Sequence, residues 1–236
     1  MWRGTAGLAN RHLHGRRRVW YSVAMRIIAG QWRGRRIEPP PGDQTRPILD
    51  RVKTVLFDQL GHMLAMPGRL PSIAVLDLFA GTGSLGLEAL SRGARFCRFA
   101  EQHRATAALL RKNLDALGVI REAEVLEGDA TVADLKPPPA AGNLPAQYEL
   151  IFLDPPYRML AGARPAPAMA GLLERLAGGW VIAESALFVV RHDARSGVRP
   201  DLSPLIEISS RVVGTMVLRF LARSGTRSSQ ATEEAP

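Results

Sequence analysis

The stretch IFLDPPYR at residues 151–158 places a carboxylate, two prolines and an aromatic ring directly after an apolar run. Proline lacks an N–H and fixes φ, so Pro155 and Pro156 should end a strand and leave carbonyls without a neighbouring donor. With Asp154 and Tyr157, they present acceptors and a flat ring in four consecutive positions. A group with N–H donors and a π-face, such as a nucleobase, would fit there. The alternative is that Asp154 forms a turn before the prolines and that Tyr157 only packs.

A second stretch, DLFAGTGSLG at residues 77–86, has the spacing G-x-G-x-x-G between a predicted strand and a predicted helix. Glycines let the backbone approach a ligand, and Glu101, at the end of the next strand, could accept bonds from ribose hydroxyls. A dinucleotide and S-adenosylmethionine both fit this pattern. Asp77 favours S-adenosylmethionine, because a carboxylate there would repel a pyrophosphate but attract a cationic methionine group. Asp129, at the end of the third strand, could accept the adenine amino group, although the glycines could also merely form a tight turn.

The predicted cofactor-binding set consists of the glycine-loop residues and the residues at the following strand ends. These are Asp77, Phe79, Gly81, Thr82, Gly83, Glu101, Gln102, Asp129 and Ala130.

The surplus positive charge lies in the first quarter of the chain. Residues 1–53 contain 12 Lys and Arg against 3 Asp and Glu, a surplus of nine that equals the net charge of the whole 236-residue chain, +9. A localised basic segment is typical of proteins that bind polyanions. For residues 1–24 a solvated charged tail is an equally good interpretation. Residues 26–37, RIIAGQWRGRRI, instead indicate a hairpin around a glycine-containing turn, a small lobe outside the glycine loop.

Strand and helix patterns alternate after a first amphipathic helix at 48–66. Strands are predicted at 73–79, 94–100, 123–127, 148–153 and 186–192, helices at 84–92, 102–117 and 167–177, and a terminal hairpin at 205–213 and 215–222. Strands that are apolar throughout and alternate with helices indicate a parallel sheet covered on both faces. Five parallel strands and a hairpin predict an α/β fold, the Rossmann-like, seven-stranded class I methyltransferase sheet, with an N-terminal hairpin extension.

Composition excludes several classes of protein. The single cysteine, Cys97, excludes an intramolecular disulfide, and the five histidines show no metal-ligand spacing, so no metal is predicted. No apolar run reaches the roughly 18 residues that a membrane span requires. The N-terminus lacks the apolar region of a signal peptide. We therefore expect a cytoplasmic monomer.

Two further stretches carry a family resemblance. DLFAGTGSLGLEALSRGA followed by FLDPPY resembles the RsmD-type family of small-subunit ribosomal RNA guanine-N2 methyltransferases. MRIIAGQWRGRRI followed by RPILDRVKTVLFDQL resembles the N-terminal region of that family, and the match covers about residues 25–222. The chain departs from the family pattern at Ile48 and Leu49, where threonine usually follows the Arg-Pro pair, and at Lys53 and Thr54, where Arg-Glu is usual. The motif DPPY alone is shared by several amino-methyltransferase families.

The resemblance implies methyl transfer from S-adenosylmethionine to a guanine N2 amine in ribosomal RNA or in an assembling small subunit. It implies that Asp154 and the Pro155 carbonyl each accept an amine N–H, that Pro156 stiffens the loop and that Tyr157 stacks on the base. The arginines expected to contact RNA are Arg33, Arg35, Arg36, Arg46, Arg51 and Arg158.

The predicted segments are a basic, disordered arm at 1–24, a hairpin and linker at 25–47, a methyltransferase domain at 48–222 and a disordered tail at 223–236. Two other functions stay open. A DNA amino-methyltransferase would use the same DPPY chemistry but usually carries a sizeable target-recognition region. An RNA-binding assembly factor could keep the fold without turnover. A nicotinamide dehydrogenase would need a separate substrate domain.

Overall fold

The computed structural model describes residues 25–39, 50–137, 147–195 and 197–224. The predicted arm at 1–24, Arg46 and most of the predicted tail lie outside these residues. Arg223, the first residue of that predicted tail, donates from Nη1 to the Ile182 carbonyl at 2.9 Å. The folded region thus includes at least this residue.

A seven-stranded sheet forms the centre of the described chain, in the order β5-β4-β3-β6-β7-β9-β8. Strands β5, β4, β3, β6 and β7 are parallel to one another, and β9 is antiparallel to both of its neighbours. The predicted parallel sheet with an antiparallel terminal hairpin is confirmed. In chain order the strands are β1 (Met25–Arg26), β2 (Arg36–Ile37), β3 (Ala74–Leu78), β4 (Phe96–Glu101), β5 (Ala123–Glu127), β6 (Tyr148–Leu153), β7 (Ile182–Asp193), β8 (Ile206–Val213) and β9 (Met216–Ala222).

The helices are α1 (Asp50–Met63), α2 (Ser84–Ser91), α3 (Arg104–Leu117) and α4 (Pro167–Gly178). Pro167 begins α4, where its missing N–H leaves no helical bond unmade. Gly118 ends α3 in the left-handed conformation, with φ of 74°. Two 3-10 turns, Ile120–Glu122 and Tyr157–Met159, were not predicted. None of the helices in the described part of the chain has the length and apolarity needed to cross a bilayer.

Two apolar layers cover the two faces of the sheet. Alternate residues of β6 enter different layers, because successive side chains of a strand point to opposite faces. Leu150 and Phe152 pack in the layer that contains α1, α2 and the N-terminal hairpin. Ile151 and Leu153 pack in the layer that contains α4. The sheet is therefore buried on both faces, as its unbroken apolar strands predicted.

Strand β7 begins earlier than the sequence predicted. The sequence pattern predicted a start at residue 186, whereas the strand begins at Ile182. Tyr148 pairs with Ile182 but Leu150 pairs with Leu187, so the two strands are out of step across an irregularity. The polar residues in this irregular part break the apolar pattern, which explains the late predicted start.

The N-terminal hairpin, formed by β1 and β2, docks on the end of α2. Gly30 has φ of 79°, and a Cβ on it would lie 1.9 Å from the Ser91 carbonyl oxygen, so no side chain fits there. That carbonyl accepts a bond from the Gln31 N–H at 2.8 Å. The Ser91 hydroxyl accepts a bond from the Trp32 N–H at 3.0 Å. The turn of the hairpin is thus fixed by backbone bonds to the helix that follows the glycine loop.

Candidate functional site

The predicted acids lie at the carboxyl ends of four adjacent parallel strands. The order β5-β4-β3-β6 places Asp129, Glu101, Asp77 and Asp154 along one end of the sheet. The strands end level, since Leu78 of β3 pairs with residues of both β4 and β6. Ligands of open α/β sheets bind at this end. The structure therefore brings the predicted cofactor and acceptor residues together.

The glycine loop between β3 and α2 has a strained, open backbone. Phe79 has φ of 63° although it is not glycine, which is a conformation that proteins often keep at functional sites. Gly83 has φ of 89°, and a Cβ on it would lie 2.4 Å from Leu110 Cδ1. Gly81 has φ of 58°, and a Cβ on it would have no other atom within 4 Å. Gly83 thus serves packing, whereas Gly81 leaves open space in which a ligand could approach the backbone.

Glu101 hydrogen-bonds the backbone of the glycine loop. Its Oε2 accepts a bond from the Gly81 N–H at 2.9 Å. Its Oε1 accepts a bond from the His103 N–H at 2.7 Å, just before α3 begins. A carboxylate has lone pairs beyond these two, so the predicted bond to a ribose hydroxyl remains chemically open. The sequence pattern did not indicate this second, structural role of Glu101.

Asp77 is fully buried and bonds the start of α2. Its Oδ2 accepts a bond from the Gly86 N–H at 2.9 Å. Burial raises the pKa of Asp77 to about 8, against the opposing bond from Gly86, and the Asp154 and Glu101 carboxylates add to the rise. The carboxyl group therefore holds a proton at neutral pH. A nearby cation would favour its charged form.

The remaining predicted cofactor residues differ in exposure. Asp129 is exposed, and its Oδ1 accepts bonds from the Thr131 N–H at 2.9 Å and the Thr131 hydroxyl at 2.8 Å. Asp129 also lines an open cavity of about 600 Å³ beside β5. Ala130 and Thr82 are buried, whereas Gln102 is exposed. The proposed adenine contact of Asp129 stays a prediction.

The DPPY loop presents its groups next to the glycine loop, because β6 lies directly beside β3. The Pro156 carbonyl accepts a bond from the Met159 N–H at 2.9 Å, which closes the 3-10 turn. Within the described residues, no donor reaches the Pro155 carbonyl. Tyr157 is 39% exposed. Its hydroxyl donates to Met216 Sδ at 3.8 Å, which leaves part of the ring open to a partner.

Arg191 forms a two-point ion pair with Asp154 that the sequence did not indicate. Its Nε donates to Asp154 Oδ1 and its Nη2 donates to Asp154 Oδ2, both at 2.6 Å. The register explains the contact, because Leu153 pairs with Val190 and the next positions on the two strands are Asp154 and Arg191. The one sign of this role in the sequence was an arginine near the end of a buried strand. One sequence alone does not give the strand register that reveals its partner.

The predicted RNA-contacting arginines fall into three groups. Arg33, Arg36, Arg51 and Arg158 are exposed, and within the described residues no ion pair involves them. Arg35 donates from Nη2 to the Ala116 carbonyl near the end of α3. Arg46 lies outside the described residues.

The N-terminal lobe, which was predicted to lie outside the glycine loop, contacts that loop. Thr82 Oγ1 donates to Met25 Sδ at 3.9 Å. Asn113 of α3 donates from Nδ2 to the Thr82 carbonyl at 3.0 Å, and its Oδ1 accepts a bond from the Glu38 N–H at 2.8 Å. Sequence reasoning missed these contacts because they join residues far apart in the chain.

Comparisons with known proteins agree with this arrangement. The family described as "Conserved hypothetical protein 95" matches residues 25–222. Ribosomal RNA small subunit methyltransferase D of Escherichia coli is 31% identical over 215 residues, 89% of this chain and 96% of that protein. The Bacillus subtilis protein YlbH, which bears the name of an rRNA methyltransferase, is 34% identical over 201 residues, 85% of this chain and 100% of that protein.

Solved structures show the same fold. The yhhF protein of Escherichia coli superimposes with a TM-score of 0.66 at 29% identity, covering 85% of this chain and 98% of that one. An RNA methyltransferase of Salinibacter ruber, solved with S-adenosyl-L-homocysteine, shares the fold at a TM-score of 0.53 and 15% identity, covering 81% of this chain and 97% of that one. The fold is that of class I methyltransferases. Since one family matches nearly all of the described chain, the protein belongs to the family of Conserved hypothetical protein 95, which is the RsmD-type family that its motifs resemble.

Proposed function

We propose that this protein transfers a methyl group from S-adenosylmethionine to the N2 amine of a guanine in small-subunit ribosomal RNA. Family membership and the rRNA methyltransferase names of its relatives support the reaction class. The observation that carries the proposal is the pair of acceptors after β6, Asp154 and the Pro155 carbonyl, beside the glycine loop.

The open side of the glycine loop suits S-adenosylmethionine. When bound, this cofactor supplies an electrophilic methyl group on a sulfonium. Gly81 leaves room along the backbone and the Glu101 carboxylate lies beside it. Asp77, protonated in the free protein, would become a carboxylate beside a bound cation. A carboxylate favours nearby cationic groups, which the methionine part of this cofactor carries and a pyrophosphate does not. These residues therefore fit S-adenosylmethionine better than a nicotinamide dinucleotide.

A guanine amine is a weak nucleophile, and the acceptor groups would position it for attack on the methyl group. Its lone pair is delocalised into the ring, so the protein must hold the nitrogen in line with the methyl group. Asp154 and the Pro155 carbonyl would each accept one amine N–H and favour a pyramidal nitrogen. Acceptor oxygens also stabilise the positive charge that develops on the nitrogen during attack.

Tyr157 would hold the base itself. A base in a folded RNA must leave its stack before it can enter such a site. The exposed part of the Tyr157 ring offers a face on which it can restack, worth on the order of 1–3 kcal/mol. Pro155 is buried and Pro156 is half-buried, so the loop that carries Tyr157 is held against the domain.

Mass spectrometry of nucleosides tests the proposal. We expect N2-methylguanosine when purified protein is incubated with S-adenosylmethionine and small-subunit ribosomal RNA or assembling subunits. Asp154→Ala should lower the product to a trace that only single-turnover conditions with excess protein detect, while calorimetry shows nearly unchanged cofactor affinity. Asp115→Ala, a change at an exposed aspartate of α3, serves as the control and should keep full activity.

Other outcomes would contradict the proposal in distinguishable ways. Methylated adenine or cytosine in place of guanine would show a different acceptor amine. Tight binding of RNA with no product of any kind would favour an assembly factor without turnover. Near-normal activity of the Asp154→Ala variant would remove this residue from the catalytic role.

A further inference from the structure

The Asp154 carboxylate is attached to an irregular loop but contacts a rigid strand. Strand β6 ends at Leu153, so Asp154 is the first residue beyond the paired part of the strand. Strand β7 continues to Asp193, and its residue Arg191 pairs with Leu218 of β9. The backbone of Arg191 is therefore held in the sheet, next to the point where the chain leaves the sheet at Asp154.

The contact between the two side chains fixes the plane of the carboxylate. Each Asp154 oxygen accepts one bond from Arg191, both at 2.6 Å. Such a two-point guanidinium–carboxylate pair has a defined geometry that one bond lacks. The side chains are only 11% and 20% exposed, so water competes little for them. The unused lone pairs of the carboxylate then point in a fixed direction, where an amine could donate to them.

The charge of the pair supports a role in positioning. Burial opposes the charge of Arg191, but the Asp154 carboxylate and its hydrogen bonds outweigh it and raise the pKa of Arg191 above its ordinary value. Arg191 is thus a cation at any working pH and offsets the negative charge of Asp154. What Asp154 offers an incoming amine is therefore mainly a well-directed acceptor.

We propose that Arg191 is a positioning residue, which orients the Asp154 carboxylate toward the acceptor amine. This inference rests on the proposed function and assigns to that site a residue from a strand outside the DPPY and glycine motifs. Arg191 acts through Asp154, and its loss should therefore affect the rate of methyl transfer more than the binding of either substrate.

A double-mutant cycle tests this directly. Arg191→Ala should lower the single-turnover rate by about 100-fold, the effect expected when a reacting group is misplaced by about 1 Å. The KM for RNA and the affinity for S-adenosylmethionine should change little. On an Asp154→Ala background, the same change should cause no further loss, because Arg191 then has no carboxylate to orient. Arg191→Lys should restore part of the rate, since an ammonium keeps the charge without the two-point geometry.

A second buried arginine separates positioning from a general loss of structure. Arg219→Ala is the matched control. Arg219 is also a buried strand arginine that bonds a carboxylate, with Nε 2.5 Å from Glu207 Oε2. This control should keep the wild-type single-turnover rate even if it lowers stability.

Two results would overturn the inference while the proposed function stands. One is an Arg191→Ala rate within twofold of wild type when Asp154→Ala keeps only its residual rate. The other is a multiplicative loss in the double variant, which would mean that Arg191 acts independently of Asp154. Absence of methyl transfer by the wild-type protein would instead overturn the proposed function, and this inference with it.

Discussion

We predict that the Asp77 carboxyl group makes cofactor binding sensitive to pH. Its pKa of about 8 in the folded chain means that it holds a proton at pH 7. The ammonium and sulfonium of S-adenosylmethionine favour the carboxylate, so cofactor binding should release a proton from this group. We expect affinity to rise with pH up to about 8. Calorimetry in two buffers with different ionisation enthalpies should detect the proton, and Asp77→Asn should abolish its release.

The same group should make the free protein less stable as pH rises. Between the ordinary pKa of 3.8 and the folded value of about 8, the folded chain holds a proton that the unfolded chain has lost. The unfolded state binds fewer protons in this window, so the free energy of unfolding falls with increasing pH. Urea unfolding at pH 5 and pH 7.5 should show the fall. An unchanged pH dependence in Asp77→Asn would assign it to another group.

Single residues were predictable where local spacing determines them. The glycine loop and DPPY revealed Gly81 and Asp154, because each motif is one turn after one strand. Arg191 was not predictable in the same way. Its contact with Asp154 depends on the register in which β6 pairs with β7. The sequence between these two strands does not predict that register.

At the scale of elements, one buried glutamate joins the hairpin to two helices. Glu88 of α2 accepts bonds from the Ile28 N–H at 2.8 Å and the Ala29 N–H at 3.0 Å. It also pairs with Arg92 at 3.0 Å and with Lys53 of α1 at 3.5 Å. Lys53 counted toward the basic N-terminal surplus, but its side chain is buried in this cluster. The alternation of elements was predictable, whereas this contact across 60 residues was not.

Glu88→Gln should therefore loosen the hairpin and destabilise the domain. An amide carries no charge to balance Lys53 and Arg92, and breaking a buried ion pair typically costs about 3–5 kcal/mol. Urea unfolding measures the loss, and hydrogen exchange should show faster exchange at the Ile28 and Ala29 amides. The control is Glu127→Gln, at an exposed residue paired with Arg111, which should cost less than about 1 kcal/mol. Equal effects of the two changes would mean that Glu88 does not fix the hairpin.

At the scale of the whole molecule, only some of the basic side chains in the N-terminal segment are free to contact a polyanion. Arg26 pairs with Asp50 at 2.8 Å, Lys53 is buried and Arg35 bonds the end of α3. Arg33 and Arg36 remain as the exposed arginines of the hairpin whose side chains have neither an ion pair nor a hydrogen bond within the described residues. Counting charge in the sequence located the basic lobe. The folded contacts decide which of its charges can meet a phosphate.

The salt dependence of RNA binding tests whether the exposed arginines of the hairpin contact phosphates. Each phosphate contact contributes about 0.7–0.9 to the slope of log affinity against log salt. Arg33→Ala with Arg36→Ala should flatten that slope and weaken binding of small-subunit ribosomal RNA. The matched control changes Arg175 and Arg211, which are exposed arginines of α4, in the apolar layer opposite the hairpin, and of the edge strand β8.

The control removes the same net charge and should leave the slope nearly unchanged. If the two double variants lost affinity equally, the attraction would come from net charge and not from the hairpin. Arg35→Ala should behave differently from both, because it removes a bond that holds the hairpin to α3. Since the hairpin also contacts Thr82 of the glycine loop, this variant should weaken S-adenosylmethionine binding as well. Calorimetry with the cofactor alone separates that effect from the loss of a phosphate contact.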